Sequence, residues 1–182
     1  MPDASTIRFT YQDYLAIPED TSRRHEIVDG EFFVTPTPRF RHQQVVMNLS
    51  ALLHTLARRY ELGEVAMGPV TVHLHDEGVT EPDVIFVRAD RLEVVDPEGA
   101  VHGPPDLVVE VLSPSNRDHD RGPKRKQYMA SGVPELWILD ADERSVEVWR
   151  PDLKAPDVVE DAVVWRVGEH RFEIPLEDVF RG

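Results

Sequence analysis

Glu110 lies in Leu107-Val108-Val109-Glu110-Val111-Leu112, where every neighbour is driven out of water. An ionised carboxylate buried in such a run costs several kcal/mol unless it meets a cation or a metal ion. A structural ion pair and metal ligation are both open to it. Asp83, in Glu81-Pro82-Asp83-Val84-Ile85-Phe86-Val87, opens a second apolar run after a proline that favours extended backbone before it. It reads as a strand-start residue or as a second acid. Asp83 shares a strand face with Ile85 and Val87, and Glu110 with Val108 and Leu112. If the two strands are neighbours, both carboxylates converge at one sheet edge. Mg²⁺ takes one or two protein carboxylates and completes its shell with water and phosphate oxygens, so such a pair points to phosphate chemistry.

A basic island, Asn116-Arg117-Asp118-His119-Asp120-Arg121-Gly122-Pro123-Lys124-Arg125-Lys126-Gln127-Tyr128, follows. Pro123 suits a first helical position, which predicts a helix from about Pro123 to Ser131 with Lys124, Arg125 and Lys126 in its first turn. Cations there oppose the helix dipole, whereas an anion would be held by them and by the free N–H groups. A solvated surface cluster is the plainer reading. Lys124 and Tyr128 are four apart, so both can point from one helix face toward Glu110.

Other signals are set aside. His73 and His75 share a strand face, but a zinc site needs further ligands and none is evident. Ser113 and Ser115 have no Gly-x-Ser-x-Gly elbow around them and read as a turn. Without a Gly-rich phosphate loop, a nucleotide cofactor is not expected. Trp137, Trp149 and Trp165 lie on strand-like segments and read as core or interface, not as platforms for stacking bases.

These residues need a scaffold of strands and two main helices. Thr10 and Asp13 predict a capped short helix through Leu15–Ile17, ending at Pro18. Asp29-Gly30 predicts a tight hairpin, and Thr37-Pro38 the start of a five-turn helix along Val45, Val46, Leu49, Leu52, Leu53 and Leu56. Strands are expected near 70–75, 83–87, 106–112, 135–140 and 145–150. Weaker strands near 162–167 and 171–174 and a short helix at 176–180 complete an α+β domain with a mixed central sheet.

Composition narrows the function. The chain has 182 residues, 41% hydrophobic, a size and balance suited to one domain with a single core. Lacking cysteine, it can form no disulfide, iron–sulfur cluster, thiolate zinc site or cysteine nucleophile. With no apolar run near ~20 residues and no basic-then-apolar leader, a cytoplasmic protein is expected. The net charge of -14 argues against a non-specific DNA coat. It is unevenly spread: residues 61–110 carry -10 and 140–182 carry -6, while 111–139 carry +2.

Taken together, "HEIVDGEFFV", "EPDVIFV" and "PPDLVVEVLSPSNRDHDRGPKRKQYMASGVPELWILD" resemble the Uma-two family, a bacterial branch of the PD-(D/E)XK nuclease superfamily. The resemblance covers roughly residues 8–150, and more loosely the tail. It implies a restriction-endonuclease-like fold over 1–182 and a metal-dependent endonuclease acting on DNA, a homodimer being one way to cut both strands. Pro82-Asp83 matches the PD motif and Glu110 the second acid. The superfamily's usual lysine position holds Leu112, and Lys124 before Tyr128 matches the family's displaced lysine. Glu26 matches an upstream acid and His42 a histidine at the start of the long helix. The implied roles are Mg²⁺ or Mn²⁺ ligation by Asp83, Glu110 and Glu26, and orientation of the attacking water by Lys124. Substrate contacts would come from His42, Arg121, Arg125 and Lys126. Two rivals are a non-catalytic nucleic-acid- or protein-binding regulatory module on the same fold, and a two-acid glycosidase, in which Lys124 has no obvious task.

Overall fold

Turn chemistry sets the first elements of the computed structural model, which describes residues 7–18 and 23–182. Thr10 caps α1 (Tyr11–Leu15) in a reciprocal box with Asp13, and the helix ends short of the expected Ile17. Asp29 and Gly30, both at positive φ, turn β1 (Arg24–Val28) into β2 (Glu31–Thr35). The long helix α2 (Phe40–Arg59) starts later than Thr37-Pro38 predicts. Pro36 and Pro38 bias the residues before them toward extended backbone, and Arg39 becomes the N-cap with no side-chain hydrogen bond.

The middle is strands: β3 (Gly63–Met67), β4 (Val72–His75), β5 (Gly78–Thr80), β6 (Val84–Arg88), β7 (Val101–His102) and β8 (Leu107–Val111). Next comes a helical stretch that begins earlier than expected. It opens at α3 (Arg117–His119), kinks within Asp120–Lys124, and closes as α4 (Arg125–Ala130). Gly122 takes a non-helical backbone, which breaks the stretch in two, and Pro123, with no N–H to give, opens the second helix as its position predicts. Lys124, Arg125 and Lys126 follow Pro123 in that first turn.

The chain finishes with β9 (Leu136–Asp140), β10 (Ser145–Trp149), β11 (Asp157–Val159), β12 (Ala162–Val167), β13 (His170–Pro175) and α5 (Leu176–Val179). A six-stranded mixed sheet runs β11-β10-β9-β8-β6-β3, and a five-stranded sheet runs β2-β1-β5-β4-β7. β12 and β13 pair as a separate hairpin. Strand alternation divides the six-stranded sheet's two faces. Val84, Phe86, Val109 and Val111 pack with Leu49 and Leu53 of α2 and with Trp137 and Trp165. Ile85, Val87, Val108 and Leu112 pack with Tyr128 and Ile138. Truncating a residue as enclosed as Leu49 or Leu53 to alanine costs about 2–5 kcal/mol. This is the mixed α+β architecture, helices flanking mixed sheets, that the residue pattern predicts.

Candidate active site

β6 and β8 are antiparallel neighbours with Val84 opposite Val109 and Ile85 opposite Val108. One step further, the register sets Asp83 against Glu110 on the face shared with Tyr128. Both are nearly sealed from solvent. β1 adds Glu26 from the other sheet, and the helical stretch adds Asp120 and Lys124 from either side of its kink at Gly122, all buried. The Lys124 ammonium lies 2.7 Å from Glu26 Oε1 and 2.9 Å from Glu110 Oε1, tying the two sheets together. Tyr128 donates its hydroxyl to the same Glu110 oxygen at 2.6 Å, as the four-residue spacing from Lys124 predicts. Neither contact uses Oε2.

Asp83 has a different shell. Its Oδ1 accepts from Arg24 Nη1 at 2.6 Å, and its Oδ2 from the Val111 N–H at 2.8 Å. His42 Nε2 reaches Oδ2 at 3.1 Å from the first turn of α2. Burial alone would raise the Asp83 carboxyl, but His42, Arg24 and Val111 together hold it down at about 2. Burial pushes Glu110 up to about 7 against the pull of Lys124, and the nearby Asp83 and Glu26 charges add to the rise. Asp120 is also raised by burial; neither of its oxygens has a hydrogen-bond partner, and the Lys124 ammonium stands 4.0 Å away. Burial works against the Lys124 charge, yet Glu110 and Glu26 hold its pKa above the ordinary lysine value. So Lys124 is raised while its own partner Glu110 moves toward neutrality. Charge balance explains this: four buried carboxylates face two permanent cations, Lys124 and Arg24. The lysine stays charged, and protons settle on the acids least well compensated.

Oxygen donors of this kind suit a hard divalent cation, and the two orphaned Asp120 oxygens mark a place short of positive charge. Among the described residues no three His, Cys, Asp or Glu side chains are grouped to hold a metal by themselves. A cation held by carboxylates here would complete its shell with water, as Mg²⁺ ordinarily does.

Asp83, Glu110, Glu26, His42 and Lys124 thus meet in one place. Of the remaining basic residues, Arg121 pairs with Glu147 at 2.6 Å and Asp140 at 3.3 Å. Arg125 lies over the Trp149 ring at 4.2 Å, and Arg117 pairs with Asp140 at 2.6 Å. Lys126 is exposed. Trp137 and Trp165 are core residues. Ser113 turns its hydroxyl onto Asn116, while His73 faces His102 of β7 with Nδ1 atoms 3.3 Å apart. Two site residues escaped the sequence reading, and both had a signal. Arg24 precedes Glu26 by two on one strand, and Asp120 precedes Lys124 by four in a helical segment.

Comparison with known proteins bears on the fold and the family. An uncharacterized protein of Synechocystis sp. is 27% identical over 150 residues, covering 81% of this chain and 75% of that protein. A crystal structure described as "a putative nuclease belonging to DUF820", from Anabaena variabilis, superposes with a TM-score of 0.78. It covers 94% of this chain and 97% of that one at 19% identity, a likeness of fold. The Uma2 family, described as "Putative restriction endonuclease", matches residues 11–176, from α1 into α5. The chain belongs to the Uma2 family.

Proposed function

We propose that the chain is a metal-dependent endonuclease that hydrolyses DNA phosphodiester bonds, with Asp83 and Glu110 holding Mg²⁺ or Mn²⁺. The observation that carries this reading is the Lys124 ammonium, buried between Glu26 and Glu110 beside Asp83. A lysine held among acids, in a family described as "Putative restriction endonuclease", supports phosphodiester hydrolysis. The cation would polarise the phosphate and make its bound water more acidic. Arg24 and His42 fix the Asp83 oxygens, while Tyr128 fixes Glu110. Lys124, held protonated, orients the attacking water and offsets charge on the phosphate instead of taking the proton. Glu26 orients water or serves a second cation. The working protein would be a cytoplasmic homodimer, and DNA binding would be weak outside the site because the chain carries a net charge of -14.

One observation favours the non-catalytic module: both Asp83 oxygens are already taken by protein donors. Incubating supercoiled plasmid with Mg²⁺ or Mn²⁺ decides between them. The wild type should nick it, with Glu110→Ala and Lys124→Ala at least 100-fold slower. No nicking, or equal nicking by all three, removes the nuclease reading.

A further inference from the structure

The kink at Gly122 leaves the helical stretch unable to place Lys124 by itself. With φ at -101° and ψ at -105°, Gly122 interrupts the helical backbone, so contacts with other elements must set the direction of α4. Gln127 makes a directional contact of this kind. It is 6% exposed, and its side-chain amide reaches β1 at two points. Oε1 accepts from the Asp29 N–H at 2.6 Å, and Nε2 donates to the Ile27 carbonyl at 3.2 Å. Ile27 and Asp29 are two apart, so one planar amide spans them as the peptide of a neighbouring strand would. Lys124 lies three positions before Gln127, on the same helical face. Its ammonium meets Glu26, the residue before Ile27, at 2.7 Å. On the other side of the kink, the His119 ring packs against Phe33 of β2 with centroids 4.1 Å apart. The β1–β2 hairpin thus holds the stretch on both sides of Gly122.

We propose that Gln127 is a positioning residue: its two-point contact with β1 sets Glu26 against Lys124, and keeps it in place when a cation enters the site. The part played once a cation enters rests on the nuclease reading; the placement of Glu26 does not. The Gln127 hydrogen bonds replace ones to water, so their net gain in stability is modest, whereas leaving either partner unmade is costly. That asymmetry gives the contact its direction. A slip of α4 along β1 strands a buried N–H and a buried carbonyl, and is opposed. The Lys124–Glu26 ion pair cannot supply this, because an ammonium with rotatable donors tolerates many angles. Its attraction also weakens once a divalent cation shares the carboxylates. The Gln127 contact involves no charge, and a cation leaves it intact.

Two variants of the full chain test this. Gln127→Met keeps the side chain's length but removes both hydrogen bonds, and the shorter amide of Gln127→Asn cannot span both groups. The first readout is the Lys124 ammonium ¹H–¹⁵N signal in metal-free protein, assigned by its loss in Lys124→Met. It should shift or broaden in both variants. Val163→Ala, buried in the separate β12–β13 hairpin, controls for lost stability and should leave the signal in place. If Gln127→Met does not fold, Gln127→Asn decides. An unchanged signal in the folded variants, or an equal change in Val163→Ala, overturns the assignment. Calorimetric titration with Mn²⁺ gives the second readout. Affinity should fall about tenfold in Gln127→Met, the usual cost of losing a group that orients a ligand. Glu26→Gln should then cost less in that background than it does alone, because Gln127 acts through Glu26. Losses that simply add, or no loss at all, overturn the role at the loaded site. A wild-type protein that binds no Mn²⁺ removes the metal-dependent reading instead, and the Lys124 signal still decides the placement of Glu26.

Discussion

Asp83 and Glu110 stand opposite each other on adjacent antiparallel strands, yet the first is held at about 2 and the second pushed up to about 7. Two donors and a backbone N–H serve Asp83. Glu110 shares one lysine with two other acids. The same burial thus gives one carboxylate that is always ionised and one that changes state near neutrality. A divalent cation would supply the missing positive charge and displace the protons.

This asymmetry fixes the pH dependence of the metal-free protein. The Glu110 carboxyl is raised in the fold, so its contribution to stability is complete below about 4.5 and is lost as pH climbs through about 7. Asp83 is depressed, so its contribution is present above about 4 and is lost as pH falls toward about 2. Thermal melts in EDTA should therefore show Tm falling between pH 5 and pH 8. Glu110→Gln should flatten that limb and melt several degrees above wild type at pH 8. An unchanged slope in the variant would show that another group titrates.

Lys124 compensates Glu26, Glu110 and Asp120 together. Lys124→Met should destabilise the protein by about 3–5 kcal/mol at pH 8, the cost of leaving buried charge unpaired. The loss should be smaller at pH 5, where Glu110 is protonated. Urea unfolding at both pH values measures this, and a loss independent of pH would place the lysine's contribution in packing alone.

Much of the site was legible because burial forbids what these residues do. A carboxylate among Leu107, Val108, Val109 and Val111 demands a partner, and the Lys124–Tyr128 spacing supplied one. The register of Asp83 against Glu110 followed from face alternation once β6 and β8 were neighbours. What stayed hidden was the helical turn before Pro123, where Arg117–His119 lead into a kink at Gly122 that no local pattern announces. The basic island misled for a related reason. Arg117 and Arg121 answer acids on β9, β10 and the following turn, contacts between residues about twenty positions apart that no local pattern reveals. The late start of α2 is simpler, set by paired prolines whose combined bias reaches as far as Arg39.

Arg24 competes with any cation for Asp83 Oδ1. Arg24→Ala should cost about 2 kcal/mol in stability, since a buried carboxylate loses a donor. It should also tighten Mn²⁺ binding severalfold, because the metal no longer displaces a guanidinium. Calorimetric titration with Mn²⁺ reads the affinity, and weaker binding in the variant would mean that Arg24 orients Asp83 for the metal.

Pro123 follows the kink at Gly122 and opens the helical turn that presents Lys124. Pro123→Ala restores an N–H able to reach the carbonyl four residues back, which favours an unbroken α-helix from Arg117 to Ala130. Straightening the kink at Gly122 would swing everything beyond it into a new direction. Lys124 would then leave Glu26, and Tyr128 would leave Glu110. Helix propensity favours the variant, while the uncompensated acids oppose it, so Tm should change by no more than a few degrees at pH 5, where Glu110 is neutral. Metal-dependent nicking should fall at least tenfold at pH 8. The Tyr128–Glu110 contact gives an independent readout, because tyrosine absorbance should shift toward solvent-exposed values if that hydroxyl is released. Full activity together with an unchanged tyrosine spectrum would show that β8, β9 and the packing of Tyr128 hold the kink without help from the proline.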